Sequence, residues 1–344
     1  MIYNRSQKKM SKLLNADCVM FDVDGALVDI RRSYNTAIKR TVDLTLGYVS
    51  GAQHNFRLPN LVSDDIILKF RRTGGFNDDI DTSYAICLAE LVHPHSDVKN
   101  ARAFLCRLAE NTDESGIISA EKYLTSISST STIMKVKKLL AYPAPVPKSL
   151  IATIFNELFY GPELFRKMHG LEPRFYFGKP LIAQDRLVVT RRTMDLLAKK
   201  FDGNLALVSG RGRIAAEISL EPILDTLDKK ACIFLEDERR EYAKPNPYGI
   251  IKAMRSMRAR TAIYAGDSFE DLLMIRRAEE RSLFKIAFCG IYGCSPRPLE
   301  TMKQLEDEGA DLVIENINQL PKILNKVSQK GDRAWEITIP PDLE

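Results

Sequence analysis

From about residue 187 to the end of the regular text, apolar runs of strand length alternate with segments of helical spacing. This alternation constrains the fold more than any other feature. "RRTMDLLAKKF" precedes "NLALVS", and "RIAAEIS" precedes "ACIFLE". "PYGIIKAMRSM" precedes "TAIYAG", and "FEDLLMIRRAEE" precedes "FKIAFCG". "PLETMKQLEDEG" precedes "DLVIE", with "NQLPKILNKVSQ" closing the series. Runs this apolar leave no face for water, so both faces must be covered. Strands alternating with helices at this spacing predict a parallel sheet with helices on both sides.

One further run has the same buried character but lies far upstream: "ADCVMF", residues 16–21. The simplest architecture puts it in the same sheet. An α/β core is then made of residues 16–30 and 180–328 and is split by an insertion at 31–179. The insertion reads as α-helical. "RRSYNTAIKRTVDLTL", "SDDIILKFRR", "NDDIDTSYAICLAELV", "NARAFLCRLAEN" and "IATIFNELFYGPELFRKM" carry helical spacing, and strand signals are nearly absent. "TGG" and "GYVSGAQHNFRLPN" break the pattern, "TSISSTSTIM" is Ser/Thr-rich, and the prolines of "YPAPVPKS" fit a stiff linker. Residues 1–15 form a basic tail and 329–344 a C-terminal tail, in which Trp335 is expected to pack against the rest.

Composition narrows the class. A chain of 344 residues with 45% hydrophobic and 28% charged residues is ordinary globular material, long enough for a core and a second unit. Net charge is +5, but Arg5, Lys8, Lys9 and Lys12 supply four of those charges, so the remainder is near neutral. No basic face or stripe is visible, which argues against nucleic acid. Six scattered cysteines without a Cys-x-x-Cys pair read as reduced thiols of a cytoplasmic protein. The apolar run after the basic start is short and meets Asp22, so it is not a signal peptide. No stretch approaches the roughly 18 apolar residues of a membrane span.

In an open parallel sheet, ligands bind beyond the carboxyl ends of the strands. Asp22 and Asp24 follow the first strand, and Ser209 and Gly210 follow "NLALV". Lys244 follows "ACIFLEDE" in "AKPNP", and Asp267, Ser268 and Asp271 follow "TAIYAG". Asp22, Asp24, Asp267 and Asp271 cannot all stay ionised side by side without a cation. Hard oxygen ligands suit Mg²⁺, which usually also holds a phosphate. Ser209 with the backbone N–H after it makes an anion cradle, and Lys244 adds a point charge for the same oxygens.

"DVDGAL", "VSGR", "KPNP" and "GDSFEDL" resemble, in order, the four motifs of the haloacid dehalogenase superfamily. The resemblance covers the split core and implies a Rossmann-like parallel sheet. It implies that Asp22 is a nucleophile forming an aspartyl-phosphate, and that Asp24 is the general acid and base and gives its carbonyl to Mg²⁺. Asp267 would be a metal ligand, with Asp271 a ligand or a partner behind the ligands. Ser209 and Gly210 would hold the phosphoryl group, and Lys244 would orient Asp22. Ala26 stands where many members carry Thr or Val, at a position with no direct part in the chemistry.

The insertion resembles the first-position α-helical cap of the phosphoglycolate phosphatase-like and β-phosphoglucomutase-like branch, enlarged here. "FRRTGGFNDD", residues 70–79, resembles a cap loop of that branch and is expected to face the site. Its alternative reading is architectural: Gly74 and Gly75 end one helix, and Asn77 caps the next with Asp78 and Asp79 in its first turn. Arg72, Gly75, Asn77 and Arg211 are the candidate substrate contacts, with Arg71 beside them. Arg211 and Arg213 could equally be a solvated helix start. Asp29 reads as a residue of the cap hinge. His93 and His95 read as loop residues, since no matching ligand stands near them in sequence.

The expected activity is Mg²⁺-dependent hydrolysis of a small soluble phosphomonoester, a sugar phosphate or phosphoglycolate-like. A phosphotransferase or mutase on a sugar phosphate uses the same intermediate and stays open, as does a non-catalytic ligand-binding member. Asp24 argues against dehalogenation, which needs neither an acid/base aspartate nor a metal. The oligomeric state is not readable.

Overall fold

The computed structural model describes residues 12–51, 58, 60–76 and 78–330. The expectations for most of the basic start, for Trp335 and the C-terminal tail, and for Asn77 as a substrate contact fall outside those residues.

The chain enters through β1 (Cys18–Phe21), all four residues of which are buried. A two-residue strand, β2 (Val28–Asp29), leads into an insertion with seven α-helices among the described residues. These are α1 (Tyr34–Ser50), α2 (Asp64–Arg71), α3 (Asp79–Val92), α4 (Val98–Glu110), α5 (Ile117–Ile127), α6 (Thr130–Leu140) and α7 (Leu150–His169). After β3 (Arg186–Leu187) the core alternates as expected. It runs α8 (Arg191–Lys200), β4 (Leu205–Ser209), α9 (Arg213–Ser219), β5 (Ile233–Phe234), α10 (Tyr248–Ser256), β6 (Thr261–Gly266), α11 (Phe269–Arg281), β7 (Lys285–Ile291), α12 (Pro298–Asp307), β8 (Leu312–Ile314) and α13 (Leu320–Lys330).

Six strands form one parallel sheet in the order β5-β4-β1-β6-β7-β8. The far-upstream run takes a central place. β1 pairs with β4 through Val19 opposite Leu205, and with β6 through Cys18 opposite Ala262. A strand flanked on both sides and covered on both faces has to be apolar throughout, and "CVMF" is. The carboxyl ends of β1, β4, β5 and β6 therefore lie side by side at one edge.

The helical insertion is organised around α3. Its residues are buried on nearly every side, and it touches α1, α4, α5, α6 and α7. A helix buried all round serves as the core of its own unit. Glu90 of α3 is fully buried and accepts from the backbone N–H of His95 at 2.8 Å, with Nδ1 of the same ring at 3.0 Å. His93 stacks on Phe104, so the "HPH" segment is a packed turn.

Three details differ from the sequence-based expectation. The two chain crossings between core and insertion are joined by an antiparallel pair, Val28 with Leu187 and Asp29 with Arg186. Two-residue strands are too short to carry a period. Strand "ACIFLE" pairs only over Ile233–Phe234 and then turns, because Glu236 and Asp237 accept the backbone N–H groups of Gly212 and Arg213 at 2.7 and 3.0 Å. Those acids satisfy the start of α9 instead of extending the sheet. Finally, α3 is capped by Asp78, whose side chain accepts from the N–H of Ile80 at 2.8 Å, in place of the expected Asn77.

Candidate active site

The site begins where β1 ends. The N–H of Asp22 continues the ladder to the carbonyl of Ala265 at 2.8 Å, and its Oδ1 accepts the N–H of Val23 at 2.8 Å. The chain then turns at Gly25, φ +75°, with its N–H on the carbonyl of Val28. A Cβ at Gly25 would stand 1.8 Å from Oδ2 of Asp267, so only glycine lets the two loops meet.

Lys244 arrives from the loop before α10 with its side chain wholly buried. Its Nζ lies 2.9 Å from Oδ2 of Asp22 and 2.7 Å from Oδ1 of Asp271. Both contacts are buried ion pairs. Asp271 is fixed from behind. Its Oδ1 is 3.0 Å from the Tyr264 hydroxyl, and its Oδ2 accepts from Ser268 Oγ at 2.8 Å and Ser268 N at 3.1 Å, closing a capping box on α11. Ser209, fully buried at the end of β4, accepts the N–H of Arg211 at 3.3 Å, and Gly210 lines a cavity that Asp22 also borders.

Oxygens of Asp22, Asp267 and Asp271 lie within 4.8 Å of one another. Burial, then Asp22 and Asp271, pushes the Asp267 carboxyl well above its ordinary range. Burial likewise raises Asp22 against the pull of Lys244, and Lys244 is held well above its own range by Asp22 and Asp271 despite its burial. Crowded hard-oxygen donors that cannot all ionise alone fit a divalent cation such as Mg²⁺. Asp271 belongs to this set by distance, though both of its oxygens already have protein partners.

The Asp24 carboxylate is not in that set. It turns toward Arg211, which donates Nε to its Oδ1 at 2.8 Å and brings Nη2 within 2.6 Å of the same oxygen as an ion pair. Burial pushes Asp24 up to about 6, with Arg211 pulling the other way. The far end of Arg211 lies 2.7 Å from Oδ2 of Asp185, which also accepts from Ser219, while Oδ1 of Asp185 accepts from Ser33. The guanidinium stands 5.0 Å over the Tyr34 ring. Arg211 is thus a buried link, not a solvated helix start.

Two cavities open on Asp22 and Asp24. One of about 120 Å³ is lined also by Asp267, Glu270 and Arg71. Glu270 is buried there, with Oε1 lacking a hydrogen-bond partner. The other, about 350 Å³, reaches the insertion. Of the "FRRTGGFNDD" residues, Arg71 feels Asp267 and Asp24 but is paired with Asp79 at 2.8 Å. Arg72 borders the smaller cavity and pairs with Glu300 at 3.2 Å. Gly75 lines the larger one. Its Cα crosses another loop so closely that a Cβ would meet Asp113 O at 2.4 Å and Gly116 N at 2.5 Å. Asp29 lies in the junction pair and holds Arg31 at 2.7 Å.

The sequence reading missed Asp185, Tyr264, Glu270, Tyr34 and Glu236. Glu236 left a faint signal, an acid closing an apolar strand. The others left none.

A Rossmann-like parallel sheet carrying an Asp-x-Asp turn, a serine, a lysine and a second aspartate pair at one edge defines a class of hydrolases. The family description "haloacid dehalogenase-like hydrolase" matches residues 16–279, and the chain belongs to that family. No curated protein matches it. Among solved structures, Phosphatase Tt82 from Thermococcus thioreducens is similar at 22% identity and a TM-score of 0.52, over 85% of this chain and 99% of that one. A structural-genomics target solved by X-ray is similar at 16% identity and a TM-score of 0.57, over 91% and 99%. At these identities the likeness carries the fold alone. Among the described residues, no helix is long and apolar enough to cross a membrane.

Proposed function

We propose that this hydrolase is a Mg²⁺-dependent phosphatase acting on a small phosphomonoester through an aspartyl-phosphate on Asp22. The observation that carries the reading is the buried junction in which Lys244 bridges Asp22 and Asp271 while Asp267 converges on the same point. Burying that many charges is costly and makes sense where a phosphate and a cation complete the balance.

In this reading a carboxylate oxygen of Asp22 forms a bond to phosphorus as the bond to the alcohol oxygen breaks. Asp24 gives its proton to that oxygen. Asp24 then takes a proton from water as the water oxygen bonds to phosphorus and the bond to Asp22 breaks, releasing phosphate. Ser209, the N–H of Gly210 and Lys244 hold the phosphoryl oxygens. Arg211 positions Asp24. The side chains of Asp22 and Asp267 and the carbonyl of Asp24 would hold Mg²⁺, with Asp271 behind them. When bound, the ion supplies charge neutralisation for the attacking carboxylate and the phosphoryl oxygens.

Residues 31–179 act as a cap that excludes water and selects the alcohol. Free cysteines, most of them buried, support a cytoplasmic protein, and the substrate is read as a small phosphorylated metabolite. The test is beryllium fluoride, which mimics the phosphoryl group on an aspartate. Wild type with Mg²⁺ is expected to bind it and gain thermal stability, and Asp22→Asn is expected to show no gain. An equal gain in both proteins would reject Asp22 as the nucleophile.

A further inference from the structure

The larger cavity runs from Asp22, Gly210 and Lys244 into the insertion, where Tyr34 of α1 and Phe155, Phe159 and Tyr160 of α7 line it. These rings form a continuous wall. Tyr34 and Phe159 are 4.2 Å apart between centroids, and Phe159 and Tyr160 meet edge to face at 5.1 Å. Asp78 at the cap of α3 and Glu236 just past β5 line the same space.

The cations that line this cavity are already committed. Lys244 serves Asp22 and Asp271, and Arg211 serves Asp24 and Asp185. Arg240 grips Asp81 with Nη2, and its Nη1 comes only to 3.9 Å from Asp78. Glu238, also on the wall, is taken by Lys252 at 2.6 Å. Two carboxylates are left over. Asp78 has the N–H of Ile80 and that distant Arg240, and Glu236 has the N–H of Gly212 at 2.7 Å.

We infer that the alcohol portion of the phosphate ester carries a cationic nitrogen, an amine or ammonium, held by Asp78 and Glu236 against the aromatic wall. This rests on the phosphatase reading, because it seats the phosphoryl group at Asp22. Aromatic faces attract a desolvated cation, and a carboxylate gives it a charge-assisted bond. A carboxylate or second phosphate on the alcohol would instead meet two acids, with every cation among the described lining residues already paired. Crowding by the surrounding chain and by neighbouring acids, Asp81 beside Asp78 and Asp237 beside Glu236, raises both carboxyls although each residue still reaches solvent. An incoming cation relieves that strain.

A charge series on one two-carbon scaffold tests the inference: 2-aminoethyl, 2-hydroxyethyl and carboxymethyl phosphate. With the wild-type protein and Mg²⁺, kcat/KM for the aminoethyl ester should exceed that for the hydroxyethyl ester by about tenfold or more, with the carboxymethyl ester lowest. Glu236→Gln and Asp78→Asn, singly and together, should bring the aminoethyl-to-hydroxyethyl ratio toward one. Equal use of the three esters, or a preference that survives both substitutions, overturns the inference. Calorimetric binding of the same esters to Asp22→Asn separates it from the phosphatase reading. The predicted order of affinity without phosphate release from wild type sinks the phosphatase and keeps the ligand class. Release without that order sinks the ligand class alone.

Discussion

Arg211 ties Asp24 to Asp185, so the acid/base candidate is wired to the point where the chain returns from the insertion. The guanidinium is buried, with Asp24 at 2.6 Å on one side and Asp185 at 2.7 Å on the other. Asp185 also accepts from Ser33 at the other crossing. Both crossings and the catalytic loop therefore share one charged network.

Breaking that network should be expensive. Arg211→Met leaves a buried Asp185 and a partly buried Asp24 without a cation and is expected to cost about 3–5 kcal/mol in urea unfolding, as removal of one partner of a buried pair does. Arg211→Lys keeps the charge but cannot reach both carboxylates with a planar fork. It should recover part of the stability and lower kcat more than it changes KM. A stability within about 0.5 kcal/mol of wild type for Arg211→Met would contradict the network.

Gly25 tests the metal cluster without substituting a ligand side chain. In Gly25→Ala the new Cβ would meet Oδ2 of Asp267, and the backbone is held at φ +75°. Asp267 must swing away. Mg²⁺ affinity, measured by calorimetry, is expected to fall about tenfold or more. Unchanged affinity would mean Asp267 does not face the cation.

The insertion has a matching contact. At Gly75 an added Cβ meets backbone atoms of Asp113 and Gly116, which cannot rotate aside. Gly75→Ala should cost about 1–3 kcal/mol and raise KM more than it lowers kcat, since the loop borders the larger cavity. A drop in kcat alone would argue that the loop serves the chemistry and not substrate seating.

Glu236 gives the pH dependence. Glu236 is an exposed residue, but the chain crowded around its carboxyl pushes it up to about 7. The group is therefore more protonated in the folded than in the unfolded state between about pH 4 and 7. Stability from this group is full below that window and is lost as pH rises through it. In the ligand-free protein, Glu236→Gln should flatten the decline in Tm across those pH values. Parallel curves for variant and wild type would show that Glu236 is ordinary.

The core of the site was readable because strand ends share an edge. Once "CVMF" is a central parallel strand, Asp22, Ser209, Lys244 and Asp267 have only one place to go. Asp185 and Tyr34 were not readable, because their roles depend on how the two crossings pack, which no local pattern records. The reading of Asn77 as a helix cap missed by one residue: Asp78 and Asn77 offer the same chemistry in adjacent positions. Glu236 was hidden inside an apparent strand, since an apolar run does not say where pairing stops.

The most direct measurement is phosphate release from an aryl phosphate, with and without Mg²⁺, for wild type and Asp22→Asn. The account predicts release by wild type that requires Mg²⁺ and is abolished in the variant. Release that persists in Asp22→Asn, or that is indifferent to Mg²⁺, would contradict it.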